Sequence, residues 1–342
     1  MPKNWRFVGP TGEELALDGG AIELYTATIA QAEKSQASAT KSGSEVHSAG
    51  AHVLSLTNLS KRIPGAITRW LPSGGRALFA RAGNFETGDS PAFHADPNAV
   101  IGLLQYMPKD EVKRVDVIAF HKKDAPGAPA KMCGLCRGFL ADYLHPETAI
   151  IGAGGADNVA FIIPWEDYLP REAGHVNFPG ALRDDILTAG WNAIQASEPV
   201  YRKDIPRAAG AFGGADGNYV WMPLSGYTSW SRAPGPVIQA FSAADLDAFE
   251  KARAQGLEKP EEALAYVPGS FIFIQEGSVP RVTQPQAQAI VDFVNKKGGK
   301  GYPVGDFPVL TVGIDASSGN PELIDARITT CGDLLPYTFT SK

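Results

Sequence analysis

Two short stretches of the chain carry the pattern from which its fold and chemistry are predicted. Residues 94–97 read His-Ala-Asp-Pro, and residues 133–137 read Cys-Gly-Leu-Cys-Arg. A histidine with a Cys-x-x-Cys pair downstream supplies one imidazole and two thiolates, which bind zinc tetrahedrally. A closed structural site needs a fourth protein ligand, and none stands at motif spacing. The pattern therefore predicts zinc on His94, Cys133 and Cys136, with one coordination position open.

An open position on zinc is the feature that makes such a site catalytic. It lowers the pKa of a bound water to about 7, so that hydroxide forms at neutral pH. Asp96 follows His94 by two residues, where its carboxylate is placed to move protons between that water and a substrate. A Cys-x-x-Cys pair also marks thioredoxin-like redox sites, but those lie in a βαβ context without an upstream His-x-Asp. We therefore favour zinc over redox chemistry.

The composition limits the class of protein and of partner. The chain has 342 residues, of which 44% are hydrophobic and 20% charged, which is ordinary for a soluble globular protein. A net charge of -6 gives no basic face for a nucleic-acid polymer and favours a small-molecule substrate. The three cysteines make no disulfide framework, which favours a reduced, cytoplasmic compartment. No signal-peptide core and no apolar run of membrane-spanning length is present, so no membrane partner is expected.

Hydrophobic periodicity predicts alternating strands and helices around the two motifs. Helix-forming residues over 21–37 predict an N-terminal helix. Two β-rich runs, 66–71 and 76–81, flank a Pro-Ser-Gly-Gly turn and predict a hairpin. Helices are predicted to begin at the two motifs, and buried strands to lie between and after them. The predicted ranges are 94–113 and 133–144 for these helices, and 115–120, 149–152 and 160–163 for the strands.

The C-terminal part of the chain, residues 266–342, is similar to a faint second copy of this arrangement. Three of its segments align with the first copy: 284–290 with 94–100, 309–314 with 115–120, and 331–334 with 133–136. The second copy lacks the histidine, the acid and one cysteine, so it cannot hold zinc in the same way. Residues 175–265 are the least readable, and only a helix over 245–254 is predicted there.

The motifs resemble those of the zinc-dependent nucleoside deaminases, whose signature is H-x-E followed by P-C-x-x-C. Asp96 stands where that family has Glu, and Met132 where it has Pro. The segment 60–66, Ser-Lys-Arg-Ile-Pro-Gly-Ala, resembles the S-x-F-x-V-G-A pattern of the cytidine deaminases, and Asn-Phe-Glu at 84–86 matches their N-x-E. Residues 167–170, Asp-Tyr-Leu-Pro, are similar to the tail of the larger, dimeric cytidine deaminases.

The resemblance implies a substrate and a reaction. Asn84 and Glu86 would hydrogen-bond the ribose, and a site that demands a sugar hydroxyl rejects analogues without one. Arg62 stands where the family has the phenylalanine that packs on the pyrimidine. The implied substrate is a cytidine-like nucleoside, attacked at C4 by zinc-bound hydroxide with release of ammonia. Asp96 would carry the protons.

The fold that the resemblance implies is α/β, with α-β-α layers. Its cytidine-deaminase-like core is a mixed sheet flanked by helices, duplicated in tandem after a small N-terminal helical segment. The expected domains are a helical leader over 1–58, a zinc-binding domain over 59–175, and a linker with a degenerate zinc-less domain over 176–342. The larger members of the family with this layout form homodimers, so a homodimer is expected.

Two alternatives to a cytidine-like hydrolytic deaminase stay open. A zinc enzyme on this fold with a diverged substrate or reaction is favoured by Asp96 and Arg62, which replace the family's Glu and Phe. An inactive scaffold or binding protein is the other alternative. The intact zinc ligands argue against it, because the second copy has lost its own. The sequence does not distinguish cytidine from deoxycytidine, a nucleotide or a modified base.

Overall fold

The computed structural model describes most of the chain and leaves several segments undescribed. Three predicted substrate-binding residues, Arg62, Asn84 and Glu86, lie outside the described residues. No helix among the described residues is long and apolar enough to cross a bilayer. The described ranges are 4–35, 46–60, 63–83, 94–108, 111, 115–175, 180–196, 206–214, 219–223, 235–257, 268–298 and 303–337.

The chain divides into two compact units. The first unit comprises Met1–Met132 and Phe139–Tyr168, and the second comprises Cys133–Gly138 and Leu169–Lys342. The short Cys133–Gly138 segment is therefore grouped with the second unit, although its chain neighbours on both sides belong to the first. Each unit has one mixed β-sheet.

The sheet of the first unit has seven strands in the order β1-β7-β6-β5-β2-β4-β3. The pairs β5–β6 and β1–β7 are parallel, and the other neighbours are antiparallel. The predicted hairpin is confirmed as β3 and β4. The strands are β1 (Arg6–Val8), β2 (Val46–Val53), β3 (Ile67–Trp70), β4 (Arg76–Gly83), β5 (Val115–Lys122), β6 (Leu144–Gly154) and β7 (Val159–Pro164).

Helices cover both faces of this sheet. They are α1 (Gly19–Ala32) and α2 (Ala95–Leu104); a third helix, α3 (Gly134–Leu140), follows β5 along the chain. Successive strand residues point to opposite faces of a sheet. On β2, Ala51 packs in the core with side chains of α1, whereas a Cβ added at Gly50 would lie 2.5 Å from Leu103 of α2. Helices α1 and α2 therefore lie on opposite faces. Helices α2 and α3 end earlier than predicted, at Leu104 and Leu140.

The second unit has a six-stranded sheet in the order β10-β9-β11-β12-β13-β8, in which only β11–β12 is parallel among the described strands. The strands are β8 (Gly174–His175), β9 (Ala208–Gly214), β10 (Tyr219–Pro223), β11 (Pro268–Glu276), β12 (Pro308–Asp315) and β13 (Glu322–Thr330). The helices are α4 (Gly180–Gln195), α5 (Gly235–Ala254), α6 (Gln284–Gly298) and α7 (Cys331–Leu334).

The order of elements repeats between the two units. In each, a helix precedes an antiparallel pair, a second helix leads to a strand, and a crossover helix joins that strand to a parallel neighbour. The expectation of an α/β fold, with mixed sheets flanked by helices and duplicated in tandem, is confirmed. The predicted alignments of 284–290 with 94–100, 309–314 with 115–120 and 331–334 with 133–136 are wrong, because β12 follows the crossover helix and so corresponds to β6, and α7 follows β13 rather than β11. Helix α6 connects the parallel strands β11 and β12, so its counterpart is the Cys-x-x-Cys helix α3 and not α2.

The N-terminal segment 1–58, expected as a helical leader, contains α1 as predicted and also two strands of the first sheet. Strand β2 lies between β5 and β4 and was not predicted. Its sequence, Val-His-Ser-Ala-Gly-Ala-His-Val, is dominated by small and polar residues and has none of the β-branched or aromatic enrichment typical of strands except at its ends. Small residues suit this strand because α2 approaches its backbone closely at Gly50.

A buried polar cluster joins the end of β2 to Glu111 and Asp116, at and just before the start of β5. The ring nitrogens of His52 lie 2.7 Å from Glu111 Oε2 and 2.9 Å from Asp116 Oδ2. Because a carboxylate meets each nitrogen, the imidazole is held as a cation that donates twice. Glu111 also accepts hydrogen bonds from the Ser55 backbone N–H at 3.0 Å and from Asn58 Nδ2 at 2.6 Å. His52 and Glu111 are both almost fully buried.

The cluster shifts the pKa values of both buried partners. Burial lowers the pKa of His52, but Asp116 and Glu111 outweigh burial and raise that pKa above its ordinary value. Burial raises the pKa of Glu111, but hydrogen bonds from Asn58, Ser55 and His52 lower it to about 2. The contribution of His52 to stability is therefore complete below the pKa of an exposed histidine and is lost as pH rises through the raised pKa. The contribution of Glu111 is lost as pH falls towards about 2.

We expect His52→Asn to destabilise the first unit by about 3–5 kcal/mol at about pH 6, because it leaves buried Glu111 without its cation. The loss should be smaller at a pH above the raised pKa of His52, where the native imidazole has released its proton. Urea unfolding at the two pH values measures both effects. His175→Asn is the matched control: His175 also meets a carboxylate, Asp325, at 3.0 Å, but its side chain is 75% exposed. That substitution should cost less than about 1 kcal/mol. Equal losses from the two variants would contradict the analysis of the cluster.

Candidate metal centre

The first predicted ligand, His94, is the N-cap residue of α2. Its backbone is extended, with φ -70° and ψ 143°, and its imidazole makes no capping hydrogen bond. The helix therefore begins at the metal motif, as the sequence predicts. Asp96 follows in the first turn of α2 and is only 4% exposed. A short polar side chain in the first turn is common, but its near-complete burial is not.

The two cysteines flank the start of α3. Cys133 precedes the helix, and Cys136 lies in its first turn. Their Sγ atoms are 3.2 Å apart, beyond the disulfide length of about 2.05 Å, and both are free thiols. The backbone N–H of Cys136 donates to Cys133 Sγ at 3.4 Å. The turn thus directs both sulfur atoms to one place.

The topology of the first sheet explains why separate motifs converge. Strands β4 and β5 are both antiparallel to β2, which lies between them, so they run in the same direction. The chain leaves β4 towards α2 and leaves β5 towards α3, so the helices that carry the histidine and the cysteines both begin beyond the carboxyl ends of these strands. Carboxyl ends of strands that share a direction meet at one edge of a sheet.

The ligand atoms of His94, Cys133 and Cys136 all lie within 4.8 Å of one another. Two sulfur atoms, each about 2.3 Å from one zinc ion, can be at most about 4.6 Å apart, so the Sγ separation is within reach of a shared metal. One imidazole nitrogen and two thiolates are the donors that zinc prefers. The residues therefore fit a zinc ion with one position left for water or substrate.

The predicted site residues fall into two groups. The three predicted metal ligands are brought together, and Asp96 lies two residues after His94, in the first turn of α2. The three residues predicted to bind the substrate, Arg62, Asn84 and Glu86, lie outside the described residues. The structure therefore describes the predicted metal ligands and Asp96, and the contacts to the sugar and the base stay predictions.

One side chain near the motif was not singled out from the sequence. Gln288, on α6, accepts a hydrogen bond from the backbone N–H of Gly134 at 2.9 Å. The two residues are 154 positions apart, and no local pattern connects a glutamine in a helix to a distant Cys-x-x-Cys turn. The predicted internal repeat aligned the segment around Gln288 with α2, so it gave no indication that Gln288 lies near the cysteines.

Comparison with known proteins finds likenesses among solved structures only. The sequence matches no family model, and no curated protein matches it. Among solved structures, the chain is similar to a crystal structure of cytidine deaminase from Burkholderia pseudomallei, with 18% sequence identity and a TM-score of 0.30. The similarity covers 45% of this chain and 98% of that chain.

We expect the purified protein to hold about one zinc ion per chain, because among the described residues one group supplies three suitable ligands. Cys133→Ala combined with Cys136→Ala should remove it, as elemental analysis would show. Cys331→Ala is the matched control. Burial raises the pKa of the Cys331 thiol to about 12, so it stays protonated and does not compete for metal. Full metal content in the double variant would refute the site.

Proposed function

We propose that the protein is a zinc-dependent hydrolytic deaminase that acts on a cytidine-like nucleoside. The observation that carries the proposal is the convergence of one histidine and two cysteines within 4.8 Å, with a buried carboxylate two residues after the histidine. Three ligands leave a coordination position open, which is typical of catalytic rather than structural zinc. The H-x-D and C-x-x-C motifs are those of the nucleoside deaminases, apart from Asp in place of Glu.

The residues divide the work between holding the metal and moving protons. His94, Cys133 and Cys136 would hold the zinc ion, which when bound activates a water at neutral pH. Asp96 would take the proton that the attacking water loses, pass it to the ring nitrogen, and then supply the proton that leaves with ammonia. Its burial keeps its carboxylate away from bulk water, which would otherwise exchange that proton.

The substrate contacts are proposed for residues in the undescribed segments. Asn84 and Glu86 would hydrogen-bond the ribose and so select a nucleoside over a free base. Arg62 would face the base, where its guanidinium can stack on a ring or pair with a phosphate or carboxylate. Ammonia release across a panel of nucleosides, bases and nucleotides would name the substrate.

A second candidate function, a diverged reaction on the same metal site, is favoured by Asp96. Aspartate is one methylene shorter than glutamate, so on the same backbone its carboxylate falls about 1.5 Å short. A misplacement of about 1 Å can cost about 100-fold in rate. Either the start of α2 lies closer to the metal than in the family, or the native substrate differs from cytidine. We place the first explanation ahead, because the ligands and the layout of the chain are those of a deaminase.

We expect Asp96→Asn to lower ammonia release by at least about 100-fold while zinc content is unchanged, because the carboxylate moves protons and does not bind the metal. Elemental analysis and an ammonia assay on the same preparation measure both quantities. Asp333→Asn is the control, because Asp333 is likewise an aspartate in the first turn of a helix, α7. It should leave ammonia release unchanged. Full activity in Asp96→Asn would rule out the proposed mechanism.

Asp96→Glu separates the two candidate functions. Loss of activity on the native substrate means that the site is built around the shorter side chain. A large gain of activity on cytidine means that the native protein serves another substrate or reaction. Cytidine and the best substrate of the panel are assayed side by side with native protein and variant.

The functional unit is proposed to be a homodimer, as in the larger cytidine deaminases that share this layout. Light scattering at micromolar concentration should give twice the mass of the chain, which is 36.3 kDa. A fully active monomer would contradict this proposal and leave the metal chemistry untouched.

A further inference from the structure

The Cys-x-x-Cys turn has a side-chain partner on α6. Gly134, the second residue of the motif, is the first residue of α3 and is buried. The N–H groups in the first turn of a helix have no acceptor within that helix, and a buried N–H is costly unless something accepts its hydrogen bond. Gln288 Oε1 meets this N–H at 2.9 Å. The glutamine therefore caps the turn from another part of the chain.

The amide of Gln288 is held in one orientation. Its Nε2 donates to Asp292 Oδ1, one turn further along α6, at 2.7 Å. An amide carries an acceptor on one side and donors on the other, and only one orientation serves both the Gly134 N–H and the Asp292 carboxylate. The side chain of Gln288 is itself only 8% exposed, so water does not readily replace either bond.

Close packing between α3 and α6 brings Gln288 within hydrogen-bond distance of the Gly134 amide. A Cβ at Gly134 would lie 2.1 Å from the backbone oxygen of Gln284 and 2.7 Å from Gln288 Cβ. A Cβ at Gly138, one turn later on the same face of α3, would lie 2.7 Å from Pro285 Cγ. The glycines therefore let the first turns of α3 and α6 touch, and any larger residue would separate them.

We propose that Gln288 is a positioning residue for the metal centre. By holding the Gly134 amide, it fixes the turn in which the Cys136 N–H donates to Cys133 Sγ at 3.4 Å, and so sets where the two thiolates point. Groups that orient metal ligands in this way typically contribute about 10–100-fold to metal affinity. The inference rests on the zinc site of the proposed function.

The test replaces the amide with an apolar side chain of similar length. Gln288→Met should weaken zinc affinity about 10–100-fold, measured by competition with a chelator on the full chain in the absence of substrate. The Gly134 amide should also exchange its hydrogen faster in the metal-free chain. Gln288→Glu combined with Asp292→Asn keeps an acceptor for that N–H and exchanges the donor and acceptor of the second hydrogen bond, so it should restore most of the zinc affinity, a rescue that a merely space-filling role would not produce.

Gln286→Met is the matched control on the same helix. Gln286 is also buried, but its Oε1 accepts from the Thr283 N–H at 2.9 Å, at the start of its own helix. It should leave zinc affinity within about twofold of native. Native affinity and native Gly134 exchange in Gln288→Met, or an equal loss in Gln286→Met, would overturn the inference. If the native protein binds zinc but releases no ammonia from any compound of the panel, the proposed deaminase is refuted and this inference stands.

Discussion

The metal centre depends on the direction in which two strands run. Because β2 pairs antiparallel with both β4 and β5, those two strands share a direction, and the helices that follow them begin at the same edge of the sheet. One helix opens with His94, and the other opens within the Cys-x-x-Cys motif. Antiparallel pairing with one shared strand therefore sets the edge of the sheet at which both groups of predicted ligands begin.

Duplication has left two copies with different roles. In the second unit, α6 occupies the position of the Cys-x-x-Cys helix, between two parallel strands, yet it begins with Gln284 and Pro285 instead of cysteine. The first turns of α6 pack against the Cys-x-x-Cys turn, which carries two of the predicted metal ligands. Glycine at 134 and 138 permits that close approach, which lets the side-chain oxygen of Gln288 accept a hydrogen bond from the Gly134 N–H.

The proposed chemistry depends on the length of the Asp96 side chain, which is one methylene shorter than that of glutamate. Asp96 is buried in the first turn of α2, where a carboxylate has little freedom to reach outward. Aspartate has fewer rotatable bonds than glutamate, so its position depends more strongly on the backbone that carries it. The path of the chain between His94 and Asp96 therefore sets how far this carboxylate reaches from the predicted metal ligand His94.

The sequence by itself determined what depends on local pattern. Ligand types at motif spacing indicated the metal group, and periodicity indicated the hairpin, the core strands and the helices that begin at the motifs, because side-chain repeats of 2 and 3.6 reflect only nearby geometry. The tertiary structure alone decided three other features. Strand β2 escaped prediction because small residues, which the close approach of α2 at Gly50 requires, carry weak strand propensity. The match of α6 to α3 depends on which strands run parallel. The bond from Gln288 to Gly134 joins residues 154 positions apart, and only packing brings such distant groups together.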